Sequence, residues 1–245
     1  MILTAHQPVY LPWLGLFHKI ALADAFVYLD TVQYLKKDWN NRNKIKTANG
    51  PAWLTVPVRT SRRFDQRLTE VEINNQEDWR HKHWRSFELS YGKARYWSRY
   101  APFLHDLYSR EWTHLNALNE AMFRYLLEAL GLRPRLILGR EIDLEGQKSD
   151  LVLDMCRKLG ADTYIFGALG RDYADVASFH RAGIAVYFQD YRHPTYPQLW
   201  GEFCSHLSVF DLLLNCGDDS LDILLSGNAA RADLPRLCEH RLSAA

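Results

Sequence analysis

The sequence predicts an α/β fold, with a Rossmann-like core built on a parallel or mixed sheet and a helical insertion or cap. Short apolar strand patterns alternate with helical patterns near both ends of the chain. This alternation is typical of a parallel sheet, because each strand needs a crossover helix to reach the next. The stretch between has helical periodicity and many aromatic residues,. We therefore expect residues 1–76 and 133–228 to form the core, 77–132 the insertion, and 229–245 a flexible tail.

Composition narrows the class of protein. The chain has 245 residues, of which 47% are hydrophobic and 24% charged, which is the usual mixture of a globular protein. Lys and Arg number 30 against 29 Asp and Glu, so the total charge argues against a protein dedicated to coating DNA. No run of apolar residues is long enough to span a membrane, and the first residues do not resemble a signal peptide.

The four cysteines form no CxxC pair and no recognisable zinc pattern,. Together with the absence of an export signal, this predicts reduced thiols in a cytoplasmic protein. Cys156 and Cys216 lie in apolar helical patterns, so we expect both to be buried and unpaired. We also expect no metal site at His81 and His83, because residues two apart on a helix diverge instead of sharing a ligand.

The chain opens with a predicted strand at residues 2–5, a helix that begins near Pro12, and a second strand at 25–29. Proline suits the first turn of a helix because its missing N–H would have no partner there. Apolar residues then recur at helical spacing, whereas His18 and Lys19 lie off the apolar face,. This strand–helix–strand unit predicts the start of a parallel sheet.

The remaining elements follow from the same periodicities. Two strands are predicted at 53–58 and 69–74, joined by a basic loop that carries Arg59, Arg62, Arg63 and Arg67. The strongest helix of the insertion is predicted at 114–130, with Gly131 as its stop. Beyond the insertion, strands are predicted at 136–138, 163–166 and 184–188, and helices at 150–159, 174–182, 207–216 and 220–226.

Polar side chains follow the first two strands at the point where each strand ends. His6 and Gln7 end the first strand, and Asp30 follows the second. Ligands of parallel sheets bind outside the carboxyl ends of the strands, so we expect these side chains to share one crevice. Histidine exchanges protons near neutral pH. His6 and Asp30 are therefore the candidate catalytic residues, with Asp30 orienting His6.

A polar segment after the second strand supplies candidates for substrate binding. Arg42 presents a planar fork that suits a carboxylate or a phosphate, and Lys46 adds a second cation. An alternative remains open, in which W-N-N-R-N-K-I-K is only a solvated loop and His6 a structural histidine. The expected substrate-binding residues of this region are Gln7, Tyr10, Lys19, Gln33, Lys36, Asn41, Arg42, Asn43 and Lys46.

Two further loops could contact a ligand. The turn F-G-A-L-G-R-D-Y contains Gly167, Gly170 and Tyr173 at a strand-to-helix junction, where backbone N–H groups attract anions. It lacks the ending of a Walker loop and is too short for the dinucleotide fingerprint, and a plain tight turn is the alternative. The loop H-P-T-Y-P-Q-L-W carries Tyr196, which would form part of a rigid aromatic wall or of the core.

Several longer stretches resemble the WbqC-like protein family over about residues 2–217. They are H-Q-P-V-Y-L-P-W-L-G-L-F-H-K-I, D-A-F-V-Y-L-D-T-V-Q-Y, N-R-N-K-I-K, W-L-T-V-P-V, S-D-L-V-L-D-M-C, T-Y-I-F-G-A-L-G-R-D-Y, H-P-T-Y-P-Q and L-S-V-F-D-L-L-L-N-C-G. The resemblance implies a role in the biosynthesis of bacterial surface polysaccharide, the O-antigen of lipopolysaccharide.

The crevice residues favour an anionic small molecule as substrate, such as a nucleotide sugar or an acyl carrier. The leading hypothesis is a transferase that adds an aminoacyl or acyl group to a nucleotide-linked amino sugar, with His6 as the base. The sequence indicates no particular cofactor. One alternative is a non-catalytic module that binds a glycan precursor or an assembly partner. Another is an RNA-binding protein that uses the arginines of residues 59–67 with Trp53 and Phe64.

Overall fold

The computed structural model of the protein describes residues 1–61, 63 and 65–238. Its core is a sheet of five strands in the order β5-β2-β1-β6-β7, and every pairing in it is parallel. The α/β prediction with a Rossmann-like core is therefore confirmed. The strands are β1 (Ile2–His6), β2 (Ala25–Tyr28), β5 (Arg135–Leu138), β6 (Thr163–Phe166) and β7 (Ala185–Phe188), and a separate pair comprises β3 (Arg42–Thr47) and β4 (Gly50–Thr55).

The first strand lies in the middle of the sheet, paired with β2 on one side and β6 on the other. Alternate residues face opposite layers. On one face, Leu3 and Val27 belong to the same buried cluster as Met155. On the other face, the rings of Phe26 and Tyr28 pack within 5.3 Å of Phe123. Because helices cover both faces, β1 and β2 are mostly apolar, as is usual for strands of parallel sheets,.

Nine α-helices surround the sheet within the described part of the chain. They are α1 (Leu14–Ala21), α2 (Trp79–Tyr91), α3 (Trp97–Ser109), α4 (Leu115–Ala129), α5 (Lys148–Leu159), α6 (Val176–Arg181), α7 (Val209–Cys216), α8 (Ser220–Leu225) and α9 (Leu234–Leu237). Residues 77–131 are mostly helical, as predicted. The insertion and the core share one apolar cluster, which contains residues of α1, α2, α3, α4, α7 and α8.

The prediction that His18 and Lys19 lie off the buried face of α1 is wrong, since both side chains are buried. The helix is covered on its second side by the segments that follow β7 and α8. Gln189 donates from Nε2 to Nδ1 of His18 at 2.8 Å, and His18 Nε2 donates to the carbonyl of Ala229 at 3.1 Å. A helix enclosed all round buries polar residues that its periodicity alone assigns to solvent.

The polar segment W-N-N-R-N-K-I-K is not a solvated loop, because most of it lies in β3 and pairs with β4 as an antiparallel hairpin. The strand predicted at 69–74 is also corrected. Leu68–Glu70 is a 3-10 turn, and the residues after it form single bridges to two different partners, Val58↔Ile73 and Glu72↔His114. The alternating burial of Val71 and Ile73 therefore reflects packing without a continuous ladder.

Cys156 and Cys216 are buried and free, which confirms the prediction made for them. Burial raises the pKa of the Cys156 thiol to about 12 and that of Cys216 to about 11, so neither ionises at neutral pH. Part of the predicted tail is ordered: Leu234 and Cys238 pack against Ile165 and Tyr187 of the sheet, and this corrects the expectation of a loose tail for them. Residues 239–245 lie outside the described residues. No described helix is long and apolar enough to cross a membrane.

Candidate functional site

The candidate site begins at His6, which ends the central strand and is partly exposed. Its Nδ1 lies 2.7 Å from the backbone carbonyl oxygen of Gln7. A carbonyl can only accept, so Nδ1 carries the proton and Nε2 keeps a free lone pair when the ring is neutral. Burial, assisted by the positive charge of Lys19, lowers the pKa of His6 to about 4. At neutral pH the ring is therefore an unprotonated base with its lone pair at Nε2.

Lys19 lies beside His6 and has an unusual environment for a cation. Its side chain is 3% exposed, and Nζ donates one hydrogen bond, of 2.8 Å, to the carbonyl of Ala5. An ammonium group has three donors, and within the described residues no carboxylate lies within 4 Å of this one. Burial lowers the pKa of Lys19 to about 7. The amine is therefore divided between its charged and neutral forms at physiological pH.

The segment between β2 and β3 forms a polar wall beside His6. Gln7 donates from Nε2 to Oδ2 of Asp38 at 3.1 Å, and the backbone N–H of Trp39 donates to Oδ1 of the same carboxylate at 2.7 Å. The guanidinium of Arg42 donates to the carbonyl of Lys37, while its buried Nε has no hydrogen-bond partner. Asp38 has little in the local sequence to mark it as a site residue, and its one signal is its place four residues before Arg42.

Asp30 does not orient His6, which corrects the predicted pair. The Asp30 carboxylate is fully buried and accepts from the backbone N–H of Arg140 at 2.9 Å, from the Arg140 guanidinium at 2.5 Å, and from Asn116 Nδ2 at 3.2 Å. Arg140 also bridges to Glu120 at 3.0 Å. A carboxylate this well satisfied stabilises the junction of β2, α4 and β5. The backbone carbonyl of Gln7 orients His6 instead.

Asn41 and Asn43 were expected to bind substrate, but their amide groups hold the backbone. Asn41 Nδ2 donates to the carbonyl of Val56 at 2.8 Å, and Asn43 Nδ2 donates to the carbonyl of Leu11 at 2.5 Å. The neighbouring Asn40 donates to the carbonyl of Pro8 at 2.7 Å. The bonds from Asn40 and Asn43 satisfy buried acceptors of the loop after β1, whose prolines and turns leave it without a strand partner, and the bond from Asn41 satisfies the carbonyl after β4. The asparagines therefore fasten the hairpin to that loop.

Lys46 and Tyr196 belong to a second buried polar cluster. Among the described residues, no hydrogen bond of this cluster involves His6. Lys46 Nζ donates to Gln198 Oε1 at 3.0 Å, and Gln198 Nε2 donates to Asp211 Oδ1 at 2.8 Å. The hydroxyl of Tyr91 donates to the other oxygen of Asp211 at 2.8 Å, and burial raises the pKa of that carboxyl. This network packs β3 against α2 and α7 and is not part of the crevice.

The structure gives different surroundings to three other predicted binding residues. The hydroxyl of Tyr10 is buried within the insertion, 2.6 Å from Tyr108 Oη and 2.8 Å from His83 Nδ1. Gln33 donates to Asp65 at 3.5 Å, and Lys36 is exposed. Tyr10 thus anchors the insertion to the loop after β1, which explains a buried tyrosine in that loop.

The glycine turn has a different geometry from the one predicted. Ala168–Asp172 forms a 3-10 turn, and α6 begins at Val176 with Asp175 as its N-cap, accepting from the Ser178 N–H. The helix therefore starts two residues after the expected Ala174. At Gly170, an added Cβ would lie 2.6 Å from the Cβ of Phe166, whereas at Gly167 nothing lies within 4 Å. Gly170 is required by packing, and Tyr173 packs edge-on against Phe166 at 5.9 Å.

Two described arginines of the basic loop share one carboxylate. Arg63 and Arg59 lie 3.0 and 3.8 Å from the carboxylate of Glu72. Trp53 instead contacts Arg42 and Lys44 of the hairpin. Arg62 and Phe64 lie outside the described residues. The expected RNA-binding surface of Trp53 with this loop is therefore not assembled by the contacts that the structure describes.

Two cavities lie away from His6. One of about 330 Å³ opens at the carboxyl end of β7 and is lined by Arg171, Asp190, Arg192 and Asn228 among others. The other, of about 670 Å³, opens at the amino ends of β1, β6 and β7. No group of three metal-ligating side chains occurs in the described part of the chain. The chemistry-bearing groups at the expected crevice are His6, Lys19, Gln7, Asp38 and Arg42.

Comparison with known proteins gives the family. The family model described as "WbqC-like protein family" matches residues 7–223. The chain belongs to the WbqC-like protein family. It is also 37% identical over 220 residues to a protein of Mycobacterium tuberculosis named "Uncharacterized protein Rv1507c", covering 89% of this chain and 95% of that relative. No solved structure matches the chain. The matched span of this WbqC-like protein contains Gln7, Lys19, Asp38 and Arg42, and His6 immediately precedes it.

Gly170→Ala should lower the free energy of unfolding by about 1–3 kcal/mol, because the new methyl group overpacks against Phe166. Gly167→Ala is the matched control: its backbone has φ −72° and open space for a methyl group, so its stability should equal or slightly exceed that of the wild type. Urea unfolding followed by circular dichroism measures both. Equal stability of the two variants would contradict the packing role of Gly170.

Lys19→Met should remove a pH dependence of stability. The unfolded chain keeps the Lys19 proton up to a pH near 10.4, whereas the folded protein loses it near pH 7. Between these values unfolding takes up a proton, so the stability of the wild type rises with pH. From pH 7 to 9 the wild type should gain about 2 kcal/mol relative to Lys19→Met. Urea unfolding at both pH values tests this, with Lys82→Met, an exposed lysine of α2, as the control.

Proposed function

We propose that this WbqC-like protein is a transferase of bacterial surface-polysaccharide biosynthesis. It moves an acyl or aminoacyl group from an activated carrier to the amine of a nucleotide-linked amino sugar. The observation that carries the proposal is His6: a neutral imidazole at the carboxyl end of the central strand, with its tautomer set by the Gln7 carbonyl and its lone pair at Nε2. Family membership supports the biosynthetic role.

The chemistry requires a base beside the acceptor amine. The amine nitrogen attacks the carbonyl carbon of the donor, a C–N bond forms, and the bond from carbon to the carrier breaks. The proton of the nitrogen passes to Nε2 of His6 and then to the departing carrier atom. The low pKa of His6, about 4, makes its protonated form a strong donor for that second step. General acid–base help of this kind accelerates a reaction by about 10²–10⁴-fold.

The cations of the crevice suit an anionic substrate. Arg42 contributes a guanidinium group, and guanidinium groups bind phosphate or carboxylate through paired N–H donors. Lys19 contributes a positive charge in the fraction of molecules where it is protonated. One oxygen of Asp38 accepts a hydrogen bond from Gln7 and the other accepts one from the backbone of Trp39. Asp38 therefore holds the segment between β2 and β3 beside His6. A cytoplasmic location, where nucleotide sugars are made, completes the proposal.

A non-catalytic module that binds a glycan precursor is the second candidate. The observation that favours it is that neither described cavity is lined by His6 or Lys19. Such a module would use the crevice without a proton transfer. Substitutions in such a module would change its affinity for the glycan precursor, and the wild type itself would show no enzymatic turnover.

The test is turnover by His6→Ala. The wild type is incubated with acyl-CoA thioesters and nucleotide-linked amino sugars, and the free thiol released with amide product is measured. His6→Ala should lose about 10²–10⁴-fold in rate, with its circular dichroism spectrum and melting temperature retained. His81→Ala, at an exposed position of α2, is the matched control.

The two candidates separate in the same experiment. Ligands that raise the melting temperature without any product, and that bind more weakly to His6→Ala, would show a binding module. Full turnover by His6→Ala would remove His6 from the reaction and overturn the proposed mechanism.

A further inference from the structure

We propose that Trp39 and Trp53, with Arg42 and Lys44, form a second binding subsite that takes the base and phosphate of a nucleotide. We call these four residues the tryptophan surface. The inference rests on the proposed function, because it assigns the nucleotide end of the substrate to a specific place. It goes beyond that function because neither tryptophan has a role in the proton transfer at His6.

The exposure of the two tryptophans is unusual for this protein. The side chain of Trp39 is 44% exposed and that of Trp53 is 47% exposed. The structure describes all eight tryptophans of the chain, and the other six are buried or partly buried. Burying an aromatic side chain is strongly favourable. The exposed faces of these two neighbouring indoles therefore do not stabilise the fold. A ligand that covered them would bury them and gain that favourable free energy.

The rings are held in a fixed arrangement before any ligand arrives. Their centroids lie 5.4 Å apart with 35° between the planes. The guanidinium carbon of Arg42 lies 4.7 Å from the centre of the Trp53 ring, and Lys44 Nζ lies 5.5 Å from it. Lys44 is directly opposite Trp53 in the β3–β4 register, so both side chains leave the hairpin on one face. Preorganised aromatic groups bind at a smaller entropic cost.

The charge around these rings is positive. The exposed Lys37, in the segment before β3, adds a third positive charge to those of Arg42 and Lys44. The acid beside them is Asp38, whose two oxygens accept from Gln7 and from the Trp39 backbone. A ligand that combines a flat ring with negative charge matches this surface: the ring stacks on indole, and the phosphate pairs with the cations. A nucleotide has both features.

The tryptophan surface is continuous with the crevice. Asp38 joins it to Gln7, which follows His6 and supplies the carbonyl that orients the imidazole. Tyr10 donates its backbone N–H to the carbonyl of Trp39 at 3.1 Å, so the loop after β1 and the tryptophan segment are tied together directly. A substrate with its nucleotide on the indoles thus extends toward the base at His6.

The test measures nucleotide binding, without any need for turnover. Wild-type protein is titrated with UMP and with AMP by calorimetry and by indole fluorescence, with ribose 5-phosphate and inorganic phosphate as probes without a base. Both nucleotides should bind and quench the fluorescence, and ribose 5-phosphate should bind at least about fivefold more weakly, which is the lower bound for one lost stacking contact.

Matched variants locate the binding. Trp39→Ala and Trp53→Ala should each weaken UMP binding at least about fivefold, while Trp39→Phe retains most of the affinity because it keeps a stacking ring. Leu89→Ala, which removes an exposed apolar side chain of α2, should bind as the wild type does. Lys44→Ala should weaken UMP and ribose 5-phosphate alike, because it removes charge and leaves the indoles.

Three results would overturn the proposal. The first is UMP affinity unchanged by both tryptophan variants. The second is tight, steeply salt-dependent binding of a single-stranded oligonucleotide with no binding of UMP, which indicates a nucleic-acid surface. The third is binding to phosphatidylglycerol vesicles that needs both tryptophans, again without UMP binding, which indicates a membrane surface. UMP binding that persists in a His6→Ala protein without turnover separates this subsite from the failure of the proposed reaction.

Discussion

The central position of β1 is the constraint on which the rest of the structure depends. Parallel partners on both sides satisfy its backbone, and Lys19 of α1 donates to the carbonyl of Ala5 near its carboxyl end. The loop after it has no strand partner, so Asn40 and Asn43 donate to its carbonyls and Tyr10 anchors it in the insertion. One strand position thereby brings the sheet, the hairpin and the helical insertion to a single edge.

Burial at that edge has opposite consequences for different charged groups. Asp30 receives three hydrogen bonds, two of them from Arg140, and they satisfy the polar atoms of its buried carboxyl group. Lys19 donates to one carbonyl and has no carboxylate within 4 Å in the described part of the chain, and burial lowers its pKa to about 7. A buried charge with full compensation serves the fold, whereas an amine left without it is available for chemistry near neutral pH.

Much of the fold follows from periodicity and punctuation. The strands of the parallel sheet were predictable because a strand covered on both faces is mostly apolar. The helices of residues 77–131 and the burial of Cys156 were predictable from apolar residues at helical spacing. The β3–β4 hairpin was not predictable, because the polar segment R-N-K-I-K-T is held in position by residues that are distant in the sequence. Lys46 is polar yet 3% exposed, because Gln198 and Glu202 approach from a loop some 150 positions away.

The sequence by itself determined the α/β class, the family and the placement of His6 at the carboxyl end of a strand. Only the tertiary structure decided which polar residues surround it. Asp30 and His6 follow adjacent strands, but hydrogen bonds from α4 and from the turn after β5 commit the carboxylate to Arg140. The charges that act on the histidine are instead those of Lys19 and Asp38. Hydrogen-bond partners are set by packing between distant segments, and local sequence carries no record of which partner a side chain will meet.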